Sequence, residues 1–400
     1  MTTQTKIKLE VVDADGHYLE PPFAIPEYIE PKYKDVAPRI VQEDGKEYWE
    51  GRGWWDYNPQ AGAREGTRRL ATAVAGLAGV GRWNQGTSLQ DIKGLGYTQI
   101  NPAAVDPIER IKVMDNERID AAVLYPTMNL QWLDDPDFQL AMNRALNDWQ
   151  ADYIKAAPRR LYGAANIVAI HDVAAACAEV RRCVEQHGFK AVFLRTAHAL
   201  PEARWWTDFY DPFWKTCEEL DVAIGFHPFP GDMMYGSGRF FDMIGPTTSQ
   251  QLARGPVNHP VDAMHTLAGL IAGGKLEQFP GLRIAILESG GGWLVSFLER
   301  MDHRFEHLGH LAPHVKMKPS DYFRRQAWIA FDPDEAALPL TVQWLGADRI
   351  IWGSDFPHPD AFYPNFLDML DENIASLSPD DRARIRGLNA IDFYKLPGEV

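Results

Sequence analysis

The stretch Val11-Val12-Asp13-Ala14-Asp15-Gly16-His17-Tyr18-Leu19-Glu20 decides how the rest of the chain is read. An apolar, β-branched run from Ile7 to Val12 climbs out of a polar terminus and stops at metal-type ligands. Asp15 and His17 are two residues apart, and on an extended strand side chains two apart point to one face. A carboxylate and an imidazole therefore converge at the C-terminal end of a strand. Gly16 between them lets the backbone approach closely. Glu20 follows in the turn before Pro21-Pro22. Taken alone, these residues also describe a polar strand end that caps a loop.

Working outward, strand-like runs recur at residues 7–15, 121–125, 162–170, 191–194, 222–226, 283–287, 327–331 and 349–352, with helical segments between them. Strand and helix alternation favours a parallel α/β sheet. Eight such units in one chain favour a closed (β/α)8 TIM barrel over an open doubly wound sheet. Gly290-Gly291-Gly292 follows the sixth strand, and no G-x-G-x-x-G follows the first, so a dinucleotide-binding fold is not indicated. Residues 1–400 are read as a single barrel domain. Residues 21–107 form a long insertion after the first strand, rich in Gly, Pro and Trp, with one hairpin at 45–55. A stretch of that length in a compact domain is functional or disordered. Its aromatics, Tyr48, Trp49, Trp54, Trp55 and Trp83, suit a lid over an apolar substrate, and equally a satellite core or a subunit contact. A second long loop is expected at 229–259, a helix at 261–273, and a helical C-terminus.

The chain is 46% hydrophobic and 24% charged, with a net charge of −15, which disfavours nucleic acid as a partner. The N-terminus has no apolar signal core, and no run of ~18 apolar residues occurs, so a cytoplasmic protein without a membrane span is expected. Cys177, Cys183 and Cys217 are an odd set without a C-x-x-C and are read as small apolar residues.

The polar residues fall at strand ends. Asp15 and His17 end the first strand, Arg195 the fourth, His227 the fifth, Glu288 the sixth and Asp355 the eighth, with His358 three residues on. All strand C-termini of a barrel open onto one face, where active sites are built. Each residue alone is a weak signal; their coincidence at one end predicts a metal site. Arg195 suits a substrate carboxylate or phosphate, or a structural salt bridge. His259 and His265 are read as structural or surface.

These same residues carry a family resemblance. The pieces Asp13-Ala14-Asp15-Gly16-His17, Gly225-Phe226-His227-Pro228, Glu288-Ser289-Gly290, Trp352-Gly353-Ser354-Asp355-Phe356-Pro357-His358 and Asn389-Ala390-Ile391-Asp392-Phe393-Tyr394 resemble the amidohydrolase-related (amidohydrolase 2) branch of the metal-dependent amidohydrolase superfamily. The resemblance skips most of residues 40–107. It implies a (β/α)8 barrel holding a divalent metal on Asp15, His17, His227 and Asp355, with Asp15 where a histidine is common. It also implies a histidine after the sixth strand, where this chain has Glu288. Lys190 starts its strand, so a carbamylated bridging lysine is not expected.

Asp15, His17, His227 and Asp355 satisfy one catalytic ion. Glu20, Glu288 and His358 are then surplus, and either orient the first ligands or hold a second ion about 3.5–4 Å away. Four carboxylates and three imidazoles form a hard donor set that suits iron or manganese as well as zinc. The reading favoured by the surplus carboxylates is a dinuclear non-haem iron (or Mn/Fe) monooxygenase. It would take O2 and a small, partly apolar substrate, with Glu288 and His358 at the reacting centre, in a homodimer or larger oligomer. The alternative is a mononuclear Zn- or Mn-dependent hydrolase or non-oxidative decarboxylase, with His358, His259 or Asp332 handling the proton. A third reading is a metal-binding partner subunit without turnover.

Overall fold

A computed structural model describes residues 8–43, 46–52, 69–71, 79, 96–127, 133, 135–168, 170–197, 200, 202–228, 247–359 and 361–398. β1 (Val12–His17) is buried at every position. A small antiparallel sheet follows it in sequence, made of β2 (Arg39–Glu43), β3 (Lys46–Glu50) and β4 (Arg69–Ala71). A hairpin is present but spans 39–50, earlier than the expected 45–55, and β4 adds a third strand to it; Trp54, Trp55 and Trp83 of the expected lid lie outside the described residues. The barrel strands resume with β5 (Ala121–Tyr125), β6 (Leu161–Asn166), β7 (Ala191–Arg195) and β8 (Ala223–His227). They finish with β9 (Ile284–Ile286), β10 (Ala327–Phe331) and β11 (Ile350–Trp352). These eight strands are parallel neighbours in the order β1-β5-β6-β7-β8-β9-β10-β11, a nearly closed barrel flanked by helices.

The strands read as continuous apolar runs because both of their faces are covered. On β5, Ala121, Val123 and Tyr125 point into the barrel, while Ala122 and Leu124 pack outward against helices. The interior is filled largely by small and β-branched side chains, with Phe393 and Tyr394 of the C-terminal helix (Asn389–Tyr394) packing into it. Tyr394 Oη donates to Ala14 O at 2.6 Å, which ties that helix to the middle of β1. The crossover helices carry their own start signals. Asp106, Asp135 and Asp172 cap the helices at Pro107–Asn116, Pro136–Ile154 and Val173–His187, and Gly188, at φ +72°, ends the last of these.

Three expected boundaries move most, the first being the opening strand, expected at 7–15 and found at Val12–His17. The strand expected at 162–170 ends at Asn166. The helix expected at 261–273 spans Thr247–Ala272 and takes in part of the anticipated loop, with Pro256 and Pro260 inside it. Its buried apolar face, Ala263, Leu267, Leu270 and Ile271, lies beyond both prolines. Among the described residues, no helix is long and apolar enough to cross a membrane.

The barrel closes where β1 meets β11. Asp355 N donates to Asp15 O at 3.1 Å and His17 N donates to Phe356 O at 2.9 Å. Asp13, fully buried, staples the seam: Oδ1 accepts from Ser354 N at 3.0 Å and Oδ2 from Ser354 Oγ at 2.6 Å. Arg110 reaches the same place from its helix, donating through Nη1 to His17 O at 2.8 Å and Phe356 O at 3.1 Å, with Nη2 3.8 Å from Asp13 Oδ2. Gly16 makes room for this. A Cβ there would sit 2.7 Å from both Arg110 Nη2 and Asp13 Oδ2.

Asp13→Ala leaves the buried Arg110 guanidinium without its counter-charge, and is expected to cost about 3–5 kcal/mol. Ser354→Ala removes a neutral hydroxyl and is expected to cost about 1–2 kcal/mol. Urea unfolding midpoints check the order; an Asp13→Ala chain as stable as wild type would contradict the seam's role.

Candidate metal centre

The seam sets β1 so that Asp15 and His17 face the barrel mouth. Opposite them stands His227 at the end of β8. Glu288 follows β9, and Asp355 and His358 follow β11. Asp15, His17 and His227 are 3%, 0% and 1% exposed, so their polarity is unexplained by solvent. Two sets of donor atoms converge to within 4.8 Å of one another: Asp15, His17 and His227 in one, and His17, Glu288, Asp355 and His358 in the other.

The imidazoles are oriented by main-chain carbonyls. His17 Nδ1 lies 3.1 Å from Pro126 O, and His227 Nδ1 lies 2.8 Å from Pro228 O. Each Nδ1 therefore carries a proton, and each Nε2 points inward. The two Nε2 atoms face each other at 3.1 Å. Asp15 Oδ1 lies 3.8 Å from both of them, is buried, and accepts no hydrogen bond among the described residues. Converging lone pairs beside an orphaned carboxylate oxygen are what a cation requires, and a carbonyl behind each imidazole is the usual support for a metal ligand.

The charges reflect the same design. Burial works against a charged His227, but Glu288, 2.9 Å away, and Asp15 outweigh it and lift its pKa to about 9. Burial likewise opposes the Glu288 carboxylate, yet His227 holds it down at about 2. Burial raises Asp15 to about 8, against the pull of His227 and with help from Glu288 and Asp13. Burial and the neighbouring His358 and His227 keep His17 neutral, well below its usual range. A proton on His227 Nε2, shared with His17 and Glu288, therefore sits where a cation would. Glu288 and Asp355 hold φ of +40° and +52°, conformations that non-glycine residues rarely adopt and that cluster at functional sites.

A supporting layer surrounds the cup. His358 Nδ1 lies 2.6 Å from Asp355 Oδ1, and its ring stacks on His17 with centroids 4.2 Å apart. Its Nε2 lies 3.2 Å from Thr127 Oγ1, whose own proton goes to Tyr18 O at 2.7 Å. That assigns a proton to His358 Nε2. Glu20 is outside both donor sets; its Oε1 accepts from Thr127 N at 3.2 Å. Arg195 is buried at the end of β7, in register with His227 and so on the same face of the sheet. His259, expected to be structural, has Nδ1 3.2 Å from Glu288 O. Arg110 and Thr127 escape a reading of strand ends because they sit on a helix and in a loop, and no spacing links them to the strands they touch.

The two donor sets share His17, whose Nδ1 is committed to Pro126 and whose Nε2 has one lone pair. Both sets thus gather round one point, and Glu288 reaches His227, so two iron ions per chain are not supported.

Comparison with known proteins agrees. The amidohydrolase family model (amidohydrolase 2) matches residues 99–396. The chain is 24% identical over 313 residues to the 2-amino-3-carboxymuconate-6-semialdehyde decarboxylase of Dictyostelium discoideum, aligning 76% of this chain with 81% of that one. An amidohydrolase from Mycobacterium avium subsp. paratuberculosis superposes with a TM-score of 0.76 at 20% identity, covering 97% of this chain and all of the other. A dihydroxybenzoic acid decarboxylase from Polaromonas sp. JS666, solved with bound manganese and the inhibitor 2-nitroresorcinol, gives a TM-score of 0.61 at 23% identity, covering 79% and 95%. Relatives of stated activity are decarboxylases, which are lyases. They overturn the expectation of an O2-dependent, iron-using monooxygenase, and with it the oxidoreductase class. The carboxylate at position 288, which prompted that expectation, pairs with His227. With most of its length matched by the family model, the chain belongs to the amidohydrolase family.

Proposed function

We propose that the chain is a metal-dependent, non-oxidative decarboxylase that holds one divalent ion, manganese by preference, on Asp15, His17, His227 and Asp355. The observation that carries this reading is the inward convergence of His17 and His227 Nε2 beside the orphaned Asp15 Oδ1. The donors are hard oxygen and nitrogen atoms, which suit manganese as well as zinc. The substrate class is a small carboxylic acid whose carboxylate sits beside an sp2 carbon bearing a hydroxyl or amino group, the feature shared by the substrates named for the related decarboxylases.

When bound, the ion would supply Lewis-acid polarisation of the substrate's oxygens. The chain's own residues do the rest. Arg195 presents a buried cation to the departing carboxylate. The C–C bond breaks, CO2 leaves, and the electron pair stays on the substrate carbon, which must then gain a proton. His358 is the group placed to hold and pass that proton, with the Glu288 carboxylate, fixed in its charged form by His227, beside it at the reacting centre. His358 is braced by Asp355 and Thr127, and Glu288 by His227. Glu20 keeps Thr127 in place and acts through it.

Incubation of manganese-loaded protein with 2,6-dihydroxybenzoate and related hydroxy- and aminocarboxylates is expected to release CO2 without consuming O2. His17→Ala is expected to lower manganese affinity by about 100-fold or more and to abolish turnover. CO2 release that persists in a metal-stripped chain, or turnover that tracks O2 uptake, would defeat the proposal.

The site also predicts a pH signature of binding. Asp15 and His227 hold their protons up to about 8 and about 9, so at neutral pH both must be displaced by the ion. Manganese binding is expected to release about two protons at pH 7, falling toward zero as the pH passes 9, with affinity rising over the same range. Calorimetry in buffers of different ionisation enthalpy measures this; release that does not change with pH would argue against these ligands.

A further inference from the structure

Glu288 would not keep its place by itself. Its φ of +40° is followed by Gly290 at φ +59°, so the chain makes two left-handed steps immediately after β9. Such a turn persists only if its surroundings over-determine it. The bracing comes from elsewhere in the chain. Glu335, in the turn after β10, directs its carboxylate at the Gly290-Gly291-Gly292 segment. Oε1 accepts from Gly291 N at 3.0 Å and from Gly292 N at 2.8 Å, and Oε2 lies 3.0 Å from Gly291 N.

The fit is close on every side. A Cβ at Gly291 would lie 2.1 Å from the Phe331 ring, so a glycine is needed for the turn to lie flat on the end of β10. Trp293 Nε1 donates to Ser289 O at 3.1 Å and Gly290 O at 2.9 Å, and Ser289 Oγ donates to Leu287 O at 2.9 Å. Glu335 is itself anchored. Its N–H donates to Asp332 O at 3.2 Å, and Asn373 Nδ2 donates to Glu335 O at 3.0 Å and Pro333 O at 3.1 Å. A half-buried carboxylate bonded to two amides is a stronger tether than a neutral acceptor.

We infer that Glu335 is a positioning residue: by clamping the Gly291 and Gly292 amides it holds the Glu288 carboxylate against His227 and so completes the cup from a loop that supplies no ligand. The inference rests on the proposed role of the site and concerns only which residue shapes it.

The experiment is a double-mutant cycle read by manganese calorimetry and by hydrogen exchange. Glu335→Ala is expected to weaken manganese binding by about 10–100-fold in the wild-type chain. In a Glu288→Gln background the same change is expected to alter affinity by less than about 2-fold, because the group it positions is already altered. Glu335→Gln retains the oxygen that reaches both amides and is expected to stay within about 3-fold of wild type. An equal loss in both backgrounds would mark a general structural role and overturn the inference. In the metal-free chain, amide exchange across 288–292 is expected to rise in Glu335→Ala and to return toward wild type in Glu335→Gln. Unchanged exchange overturns the inference whether or not the chain binds manganese, while failure of wild type to bind manganese counts against the ligand assignment and leaves exchange to decide the clamp.

Discussion

Closure of the barrel between β1 and β11 is the constraint on which the rest depends. A parallel sheet has two raw edges, and here the first and last barrel strands must satisfy one another's backbone groups. They do so through two main-chain bonds, Asp355 N to Asp15 O and His17 N to Phe356 O, and both bonds involve residues of the site. Asp13 and Arg110 reinforce the join from beneath, with carboxylate, hydroxyl and guanidinium all buried. The consequence is geometric. Asp15 and Asp355, separated by most of the chain, are brought side by side by backbone pairing before any ligand acts on them. Closing the fold and assembling the cup are one event.

That coupling explains the electrostatic condition of the mouth. Burying carboxylates and imidazoles together is unfavourable unless each charge is matched. The pairing of Glu288 with His227 solves part of the problem, leaving one a settled carboxylate and the other a settled cation. Asp15 is left over: burial raises it and no hydrogen bond among the described residues answers it. On the proposed single-ion reading, Asp15, His17 and His227 would share the charge of one divalent cation.

Much of this was legible in the linear chain, for a definite reason. Barrel strands are buried on both faces, so 121–125, 191–194 and 327–331 stand out as short apolar runs, and the polar residue ending each run marks the one face where polarity is tolerated. Asp15, His17, His227, Glu288 and Asp355 were readable on that basis. Asp13 was not, although it lies on the same strand two residues before Asp15. The ladder between β1 and β5 shifts register between Asp13 and Gly16, and Asp13 turns to the seam while Asp15 turns to the mouth. Strict alternation cannot anticipate a bulge. Arg110, Thr127 and Glu335 were also out of reach, because each acts across a tertiary contact. The first turns of the helix Thr247–Ala272 were not legible either, because residues 247–259 continue the loop-like composition of the stretch before them.

The number of ions the mouth can hold is limited by its free lone pairs. Seven ligand-type residues at one mouth suggest two ions if each is counted as a free donor. In the folded chain they are not free. His17 and His227 have each committed Nδ1 to a carbonyl, Glu20 has an oxygen on the Thr127 amide, His358 is engaged by Asp355 and Thr127, and Glu288 faces His227. What remains pointing inward is a small set centred on His17 Nε2. An imidazole nitrogen cannot bridge two metals, so a second ion would have to rely on carboxylates already engaged by histidines. Glu288 therefore sets the charge balance of the cup: fixed as a carboxylate beside His227, it lifts that histidine's pKa to about 9.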